Sequence, residues 1–392
     1  MVNGTANRSS SPLLVFADDW GRHPSSCQHL VRRLIADHDV VWANSIGTRR
    51  LRADALTLRR GFEKLRNWRR GLAQAEERMW VVDLPMLPVA AGRVGQLTNE
   101  WLVTRKLAAI FKKLELPAPI VLTTLPYVHR FIRGLPRQAL VYYCTDDYSY
   151  WPDAQRETMQ RAEDELSREA DLVLGVSHAL VARLSRKASC RYLPHGVDVG
   201  HFASTRHAGP CPAELSQLEG KKIGFFGLIY EKLDFDLLAS VAKSLPAADL
   251  VMIGRVDYCP ESFRKLPNVR FVGPQPYQDL PRWLAALDVL LLPYVDDEMI
   301  RQSSPLKLRE CLASGKPTVS VDVPEARLLE PHVRVAGDRT EFVQLVRGAL
   351  SEPDEASAAR QSAVAEDDWN HRAEQLRQLL RELGSRRASR AG

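Results

Sequence analysis

Residues 301–322 read RQSSPLKLRECLASGKPTVSVD, Arg301 to Asp322. Glu310 to Leu312 predict a helix, with Leu306, Leu308, Cys311 and Leu312 on one inward face. Gly315 is placed to end it, because the left-handed conformation of a helix C-terminus suits Gly or Asn. Pro317 blocks continuation, and residues 318–323 alternate as a buried strand does. Ser303, Ser304 and Pro305 open the helix. Two hydroxyls, a proline and free N–H groups at a helix N-terminus suit an anion. Lys307 lies in the first turn, where a cation opposes the helix dipole by roughly 0.3 kcal/mol or more. A bound phosphate would offset that cost. Taken alone, these residues fit a capped helix beside a solvated lysine equally well.

The same strand-then-helix grammar runs in both directions. Strands are predicted at 13–16, 40–43, 79–84, 120–123, 139–143 and 171–177, then at 221–227, 248–254, 269–273 and 289–293, with helical patterns between many of them. Repeated βα units predict parallel sheets. A loop-rich stretch at 203–220, with Gly209, Pro210, Pro212 and Gly220, reads as a linker between two domains. A length of 392 residues suits two domains with ample cores. The six cysteines are scattered without a Cys-x-x-Cys pair. That predicts reduced thiols in a cytoplasmic protein, and neither a disulfide framework nor a metal site. No run reaches the ~20 apolar residues of a transmembrane helix, and the polar first twelve residues read as a disordered lead-in without a signal-peptide core.

PLKLRECLASGKPTV resembles the donor-binding segment of glycosyltransferases with the two-domain GT-B fold. It is most similar to bacterial family 4 or group 1 enzymes and exopolysaccharide glycosyltransferases, whose pattern runs Pro-x-Lys-x-x-Glu-x-x-Ala-x-Gly-x-Pro-Val. The resemblance implies an α/β chain of two Rossmann-like domains, their parallel sheets facing a central cleft, and a C-terminal helix crossing back. The expected boundaries are a lead-in at 1–12, an acceptor domain at 13–205, a nucleotide-sugar domain at 206–365 and a crossover helix and tail at 366–392. Glu310 takes the place of the Glu that contacts ribose or sugar, and Gln302, Ser303, Ser304, Pro305, Leu306 and Lys307 that of the diphosphate-holding segment. Gln302 stands where the family usually has a second Glu, so the retaining stereochemistry does not carry over. Gly227 ends the first strand of the second half, as the family's donor loop does. The usual Arg after it is missing, leaving Lys232 as the nearby cation, and Arg255 follows the next strand. Residues 194–202 are similar to a Pro-Asn-Gly-Val-Asp…Phe element, with His195 in place of Asn.

The first half offers acceptor candidates. Asp19, Trp20 and His23 follow the first strand, where open parallel sheets bind ligands. They are equally ordinary turn residues. No Gly-x-Gly-x-x-Gly is present, so a dinucleotide fingerprint is absent. After the strand at 139–143 come Asp146 and Asp147, with Tyr148, Tyr150 and Trp151. Neighbouring carboxylates raise each other's pKa, which suits a general base, and flat aromatic faces stack on sugars. Asp147 is the first choice for base and Asp146 the second. The competing reading is an Asp that caps the following helix.

The net charge of +6 is a property of one half: residues 1–200 carry 29 Lys and Arg against 21 Asp and Glu. Residues 49–70 hold nine of these cations, interleaved with Leu56, Phe62, Leu65 and Trp68. A second such stretch, 97–114, carries Trp101 with Arg105, Lys106, Lys112 and Lys113. Basic amphipathic segments with Trp suit an anionic membrane surface, and equally a helix packing its apolar side inward. No nucleic-acid recognition module accompanies them. The expected activity is transfer of a hexosyl group from a UDP- or GDP-sugar to a glycan or lipid-linked acceptor in bacterial surface polysaccharide synthesis. It would proceed without metal or cofactor, in the cytoplasm or at the inner face of the plasma membrane. A nucleotide-sugar epimerase or hydrolase, and a non-catalytic scaffold, are the alternatives.

Overall fold

The computed structural model describes residues 10–22, 25–44, 71–84, 92–151, 156–353 and 355–391. The chain divides into two compact units, residues 1–193 with 373–392, and residues 194–372. The division therefore falls at Leu193/Pro194, ahead of the loop-rich stretch at 203–220. Val197 and Phe202 explain the placement, since both are buried in the core of the second unit.

The first unit is built on one sheet. Its strands are β1 (Leu13–Phe16), β2 (Val40–Ala43), β3 (Leu72–Glu76), β4 (Met79–Val82), β5 (Ile120–Thr123), β6 (Ala139–Cys144), β7 (Leu172–Gly175) and β8 (Cys190–Tyr192). They lie in the order β3-β4-β2-β1-β5-β6-β7-β8. The sequences of β1, β2, β5, β6 and β7 are continuous apolar runs buried along their length, as strands covered on both faces must be. β3 departs from the all-parallel expectation. It pairs antiparallel with β4 because only the two residues Glu77 and Arg78 join them, too few for a crossover. The helix Ser26–Leu34 follows β1; Ser25 caps it by accepting from the Gln28 N–H, and Leu30, Val31 and Leu34 face inward.

The sheet of the second unit is wholly parallel. β9 (Lys221–Phe226), β10 (Ala248–Ile253), β11 (Val269–Gly273), β12 (Val289–Leu292), β13 (Thr318–Val321) and β14 (Arg334–Ala336) lie in the order β11-β10-β9-β12-β13-β14. Setting aside the β3 hairpin at its edge, the first sheet reverses its order between β1 and β5, and the second reverses between β9 and β12. Loops leaving the strands on either side of such a reversal diverge, which opens a ligand crevice at the strand C-terminal ends. The C-terminal helix Trp369–Ala391 leaves the second unit and belongs to the first from Ala373 onward. Arg377 there pairs with Asp37 and donates to the Arg33 carbonyl, and Arg191 pairs with Glu382.

Candidate active site

In the second unit the chain reverses its approach at two glycines. Gly227 follows β9 with φ +136°, and its N–H donates to the Ile253 carbonyl at 2.8 Å. Gly254 follows β10 with φ +145°. A Cβ on Gly254 would overlap the Gly227 carbonyl, and one on Gly227 would overlap Cε of Lys307. The missing side chain at 227 thus makes room for Lys307. Its Nζ lies 4.7 Å from the centroid of the Phe226 ring and 3.3 Å from Glu310 Oε2. An ammonium held by a ring face and a carboxylate is aimed rather than free.

Lys307 rides on the helix Leu306–Ser314, which the sequence places correctly and which Gly315 ends at φ +76°. Leu308, Cys311 and Leu312 are buried as expected, whereas Leu306 is half-buried. Pro305 provides no side-chain cap. The Leu308 N–H turns back to the Pro305 carbonyl at 3.0 Å, and no side-chain cap takes the N–H groups of the first turn, where the positive end of the helix dipole lies beside Lys307. The two hydroxyls are turned into the fold: Ser303 Oγ donates to the Ile300 carbonyl at 2.8 Å, and the buried Ser304 Oγ accepts from Arg309 Nη1 at 3.2 Å. Gln302 is buried and donates to Glu298 Oε1 at 2.8 Å. Lys232 is paired with Asp297 at 2.6 Å, where Asp297 caps the helix Glu298–Gln302. Arg255 forks onto Asp257 at 2.8 and 2.9 Å. Both cations are thus tied to neighbouring acids, and Lys307 is the cation set against the helix start.

In the first unit Asp146 and Asp147 follow β6 but play different parts. Asp147 is buried and caps the short turn Tyr148–Tyr150, its Oδ1 accepting from Ser149 N at 3.0 Å and Ser149 Oγ at 2.7 Å. Its Oδ2 lies 3.8 Å from Arg183 Nε. Asp146 is half-buried, and accepts from Trp151 Nε1 at 2.9 Å and from the Asp147 N–H at 2.8 Å. Burial pushes the Asp146 carboxyl up to about 6, against the opposing pull of the Trp151 bond. Asp147 thus caps the turn Tyr148–Tyr150 rather than the helix beyond Pro152, and Asp146 is the carboxyl of the pair that is raised. Behind them, buried Glu163 pairs with Arg183 and accepts from the Tyr142 hydroxyl at 2.7 Å.

Trp151 is 47% exposed, its ring centroid 4.9 Å from that of Tyr148. Trp20 packs edge-on against Trp42 at 4.8 Å, and its backbone N–H donates to Asn44 Oδ1 at 3.0 Å. Asp19 pairs with Arg22 at 3.5 Å. His23 lies outside the described residues. Asp18 is pushed up by burial although Ser25 and Gln28 donate to it at 2.8 and 2.7 Å. The Tyr127 hydroxyl, beyond β5, is pushed up by burial and by the charges of Asp19 and Asp18. The ends of β1 and β5 thus share an electrostatic environment at the sheet's reversal point.

A family described as "Glycosyl transferases group 1" matches residues 220–352. The second unit carries a glycosyl transferases group 1 domain. TuaH of Bacillus subtilis (strain 168), a protein assigned provisionally to teichuronic acid biosynthesis as a glycosyltransferase, is 26% identical over 231 residues. That match covers 55% of this chain and 58% of TuaH, so the chain spans little more than half the length of the curated relative. Solved structures extend the likeness over nearly the whole chain. Sucrose-phosphate synthase from Thermosynechococcus elongatus aligns with a TM-score of 0.70 at 15% identity, covering 96% of this chain and 100% of that one. Anabaena Alr3699/HepE in complex with UDP and glucose aligns with a TM-score of 0.67 at 15% identity, covering 95% and 99%. At such identities the likeness establishes the fold, which is GT-B.

Within the group 1 domain, Gly227, Lys307 and Glu310 come together around the opening of one helix. Phe226, absent from the sequence expectations, supplies the face on which the lysine ammonium rests. Its signal was hidden in a strand that reads as ordinary core.

Proposed function

We propose that the chain is a glycosyltransferase that moves a sugar from a nucleotide-sugar donor onto a glycan or lipid-linked acceptor in surface polysaccharide assembly. The observation that carries this reading is Lys307, lodged over Phe226 in the space left by Gly227, beside an uncapped helix start. A donor diphosphate set there meets backbone N–H groups, the helix dipole and an ammonium. These stabilise the negative charge that grows on the leaving group as the glycosidic bond breaks. Glu310 is placed to accept from a ribose or sugar hydroxyl. On this reading the charge is met by protein groups alone. TuaH's assignment to teichuronic acid and the UDP bound by HepE support the polymer context and a UDP-linked donor.

On the first unit, Asp146 is suited to take a proton from an acceptor hydroxyl, since its pKa is raised toward the working pH. A base of this kind fits an inverting displacement. Trp151, Trp20 and Asp19 are the acceptor-binding candidates. Transfer assays with radiolabelled UDP- and GDP-sugars test the assignment. Asp146→Asn should lose about a hundredfold or more in kcat while keeping donor binding. Equal transfer by Asp146→Asn and wild type would remove the base.

Membrane contact belongs to the same reading. On the helix Gly92–Lys113, Val94, Leu97 and Trp101 are 77%, 61% and 56% exposed, while Val103, Leu107 and Ile110 face inward. Arg105 lies 5.0 Å over the Trp101 ring, and Lys112 and Lys113 extend the basic surface. This pattern fits the headgroup region of an anionic leaflet, and thus the inner face of the plasma membrane. Among the described residues no helix is long and apolar enough to cross a membrane. The segment 49–70 lies outside the described residues.

A further inference from the structure

The opening of the helix Leu306–Ser314 has no cap of its own, yet it is tied to a part of the chain far away in sequence. Arg309 is buried, and its guanidinium reaches two partners. Nε donates to Asp367 Oδ2 at 2.8 Å, and Nη1 donates to Ser304 Oγ at 3.2 Å. The other carboxylate oxygen of Asp367 pairs with Arg372. The backbone around Asp367 is laced to residues 196–197. Its carbonyl accepts from the Val197 N–H at 2.8 Å, and the Trp369 N–H donates to the Val197 carbonyl at 3.3 Å. Gly196 permits this contact, because a Cβ there would stand 2.6 Å from the Trp369 ring. His195, beside it, is held neutral by burial and by the charge of Arg309.

We propose that Arg309 and Asp367 form a clasp that fixes the start of the donor-phosphate helix, so that both are positioning residues for the nucleotide sugar. This rests on the donor-site reading above. Ser304 and Pro305 lead directly into the N–H groups that would meet the diphosphate. Ser304 is held by one arm of a guanidinium whose other arm is anchored on Asp367. A planar fork serves two acceptors at fixed spacing, which a lysine ammonium does not reproduce. The anchor lies in the last stretch of the second unit before the chain enters the C-terminal helix of the first. The clasp therefore makes donor affinity depend on residues 367–372, which carry no donor-binding group.

The test compares wild type with Arg309→Lys, Asp367→Asn and Asp367→Glu in the full chain. Hydrogen–deuterium exchange is read at the amides of residues 303–308, with those of β12 as the internal control. Affinities for UDP and GDP are measured by calorimetry alongside melting temperatures. Arg309→Lys and Asp367→Asn should speed exchange at 303–308 and leave β12 unchanged. They should also weaken the bound nucleotide by about tenfold, with any fall in overall melting read separately from the local change by the β12 control. Asp367→Glu should recover most of both. Unchanged protection at 303–308 would overturn the clasp. Lost protection with unchanged affinity would overturn its role in donor positioning. If wild type binds neither nucleotide, the donor-site reading fails by itself, and the exchange comparison still decides whether the clasp holds the helix start.

Discussion

Asp146 and His195 shift in opposite directions, and each shift fixes a pH dependence. The Asp146 carboxyl is raised from 3.8 to about 6 by burial. Between those values the folded chain holds a proton that the unfolded chain has released, so stability falls as pH rises through this window and stays lower above it. Asp146→Asn should therefore raise the melting temperature at pH 8 and change it little near pH 4, while impairing transfer. A gain in stability with a loss of activity is the signature of a strained functional group. His195 is lowered from 6.5 to about 3, by burial first and then by Arg309. Its contribution is fully present above pH 6.5 and is lost as pH falls toward 3, because the unfolded chain takes up the proton first. His195→Asn, with the residue usual in the similar glycosyltransferases, should flatten the acid side of the stability profile. Thermal melts at closely spaced pH values check both.

Elements were far more legible than side-chain partnerships. The helix at 306–314 announces itself through apolar spacing, a glycine stop and a proline beyond, and Gly315 adopts the left-handed conformation this requires. Gly315→Ala should cost about 1 kcal/mol or more, since the added Cβ would also overlap Ser357 Oγ. Urea unfolding measures it. Gly227→Ala belongs to the same scale: the methyl would displace Lys307, weakening nucleotide binding more than a glycine-to-alanine change in an open loop could. The strands legible in the sequence are those with apolar runs, as in β1 and β12, or with apolar alternation, as in β13. β3, β8 and β14 escaped because the first is a polar edge and the others span only three residues each. From sequence Asp147 ranks ahead of Asp146 as base, but adjacency makes the two carboxylates look alike and gives that ranking little physical footing. The cap onto Ser149 and the bond from Trp151, which separate them, depend on backbone direction after β6. Likewise, the charged helix Arg156–Glu169 reads as a surface element, yet Glu163, Leu166 and Ser167 are buried, Glu163 because Arg183 neutralises it. Arg309 reads as a polar helix residue, since its partner Asp367 lies 58 positions away.

At the scale of the molecule, the C-terminal helix is a structural part of the first unit. Ala373, Leu376, Leu380 and Leu383 are buried there. Removing residues 373–392 should cost about 4 kcal/mol or more, taking ~1.5 kcal/mol for each buried leucine, and should lower the melting temperature markedly in calorimetry. The exposed stripe on the helix Gly92–Lys113 predicts binding to vesicles containing phosphatidylglycerol, reduced by Leu97→Ser with Trp101→Ser and by raised salt. Flotation equal to wild type for that double variant would remove this helix as the membrane contact.

The central claim is that the helix opening at Leu306, with Lys307 held over Phe226, receives a nucleoside diphosphate. The most direct measurement is thermal-shift fluorimetry of wild type and Lys307→Ala against UDP, GDP, ADP and their sugars. A ligand at ~100 times its Kd adds about 2.7 kcal/mol of apparent stability, a shift that is readily seen. The account predicts such a shift for one nucleotide with wild type and its loss in Lys307→Ala. A shift of the same size in both proteins, or none with any nucleotide, would contradict it.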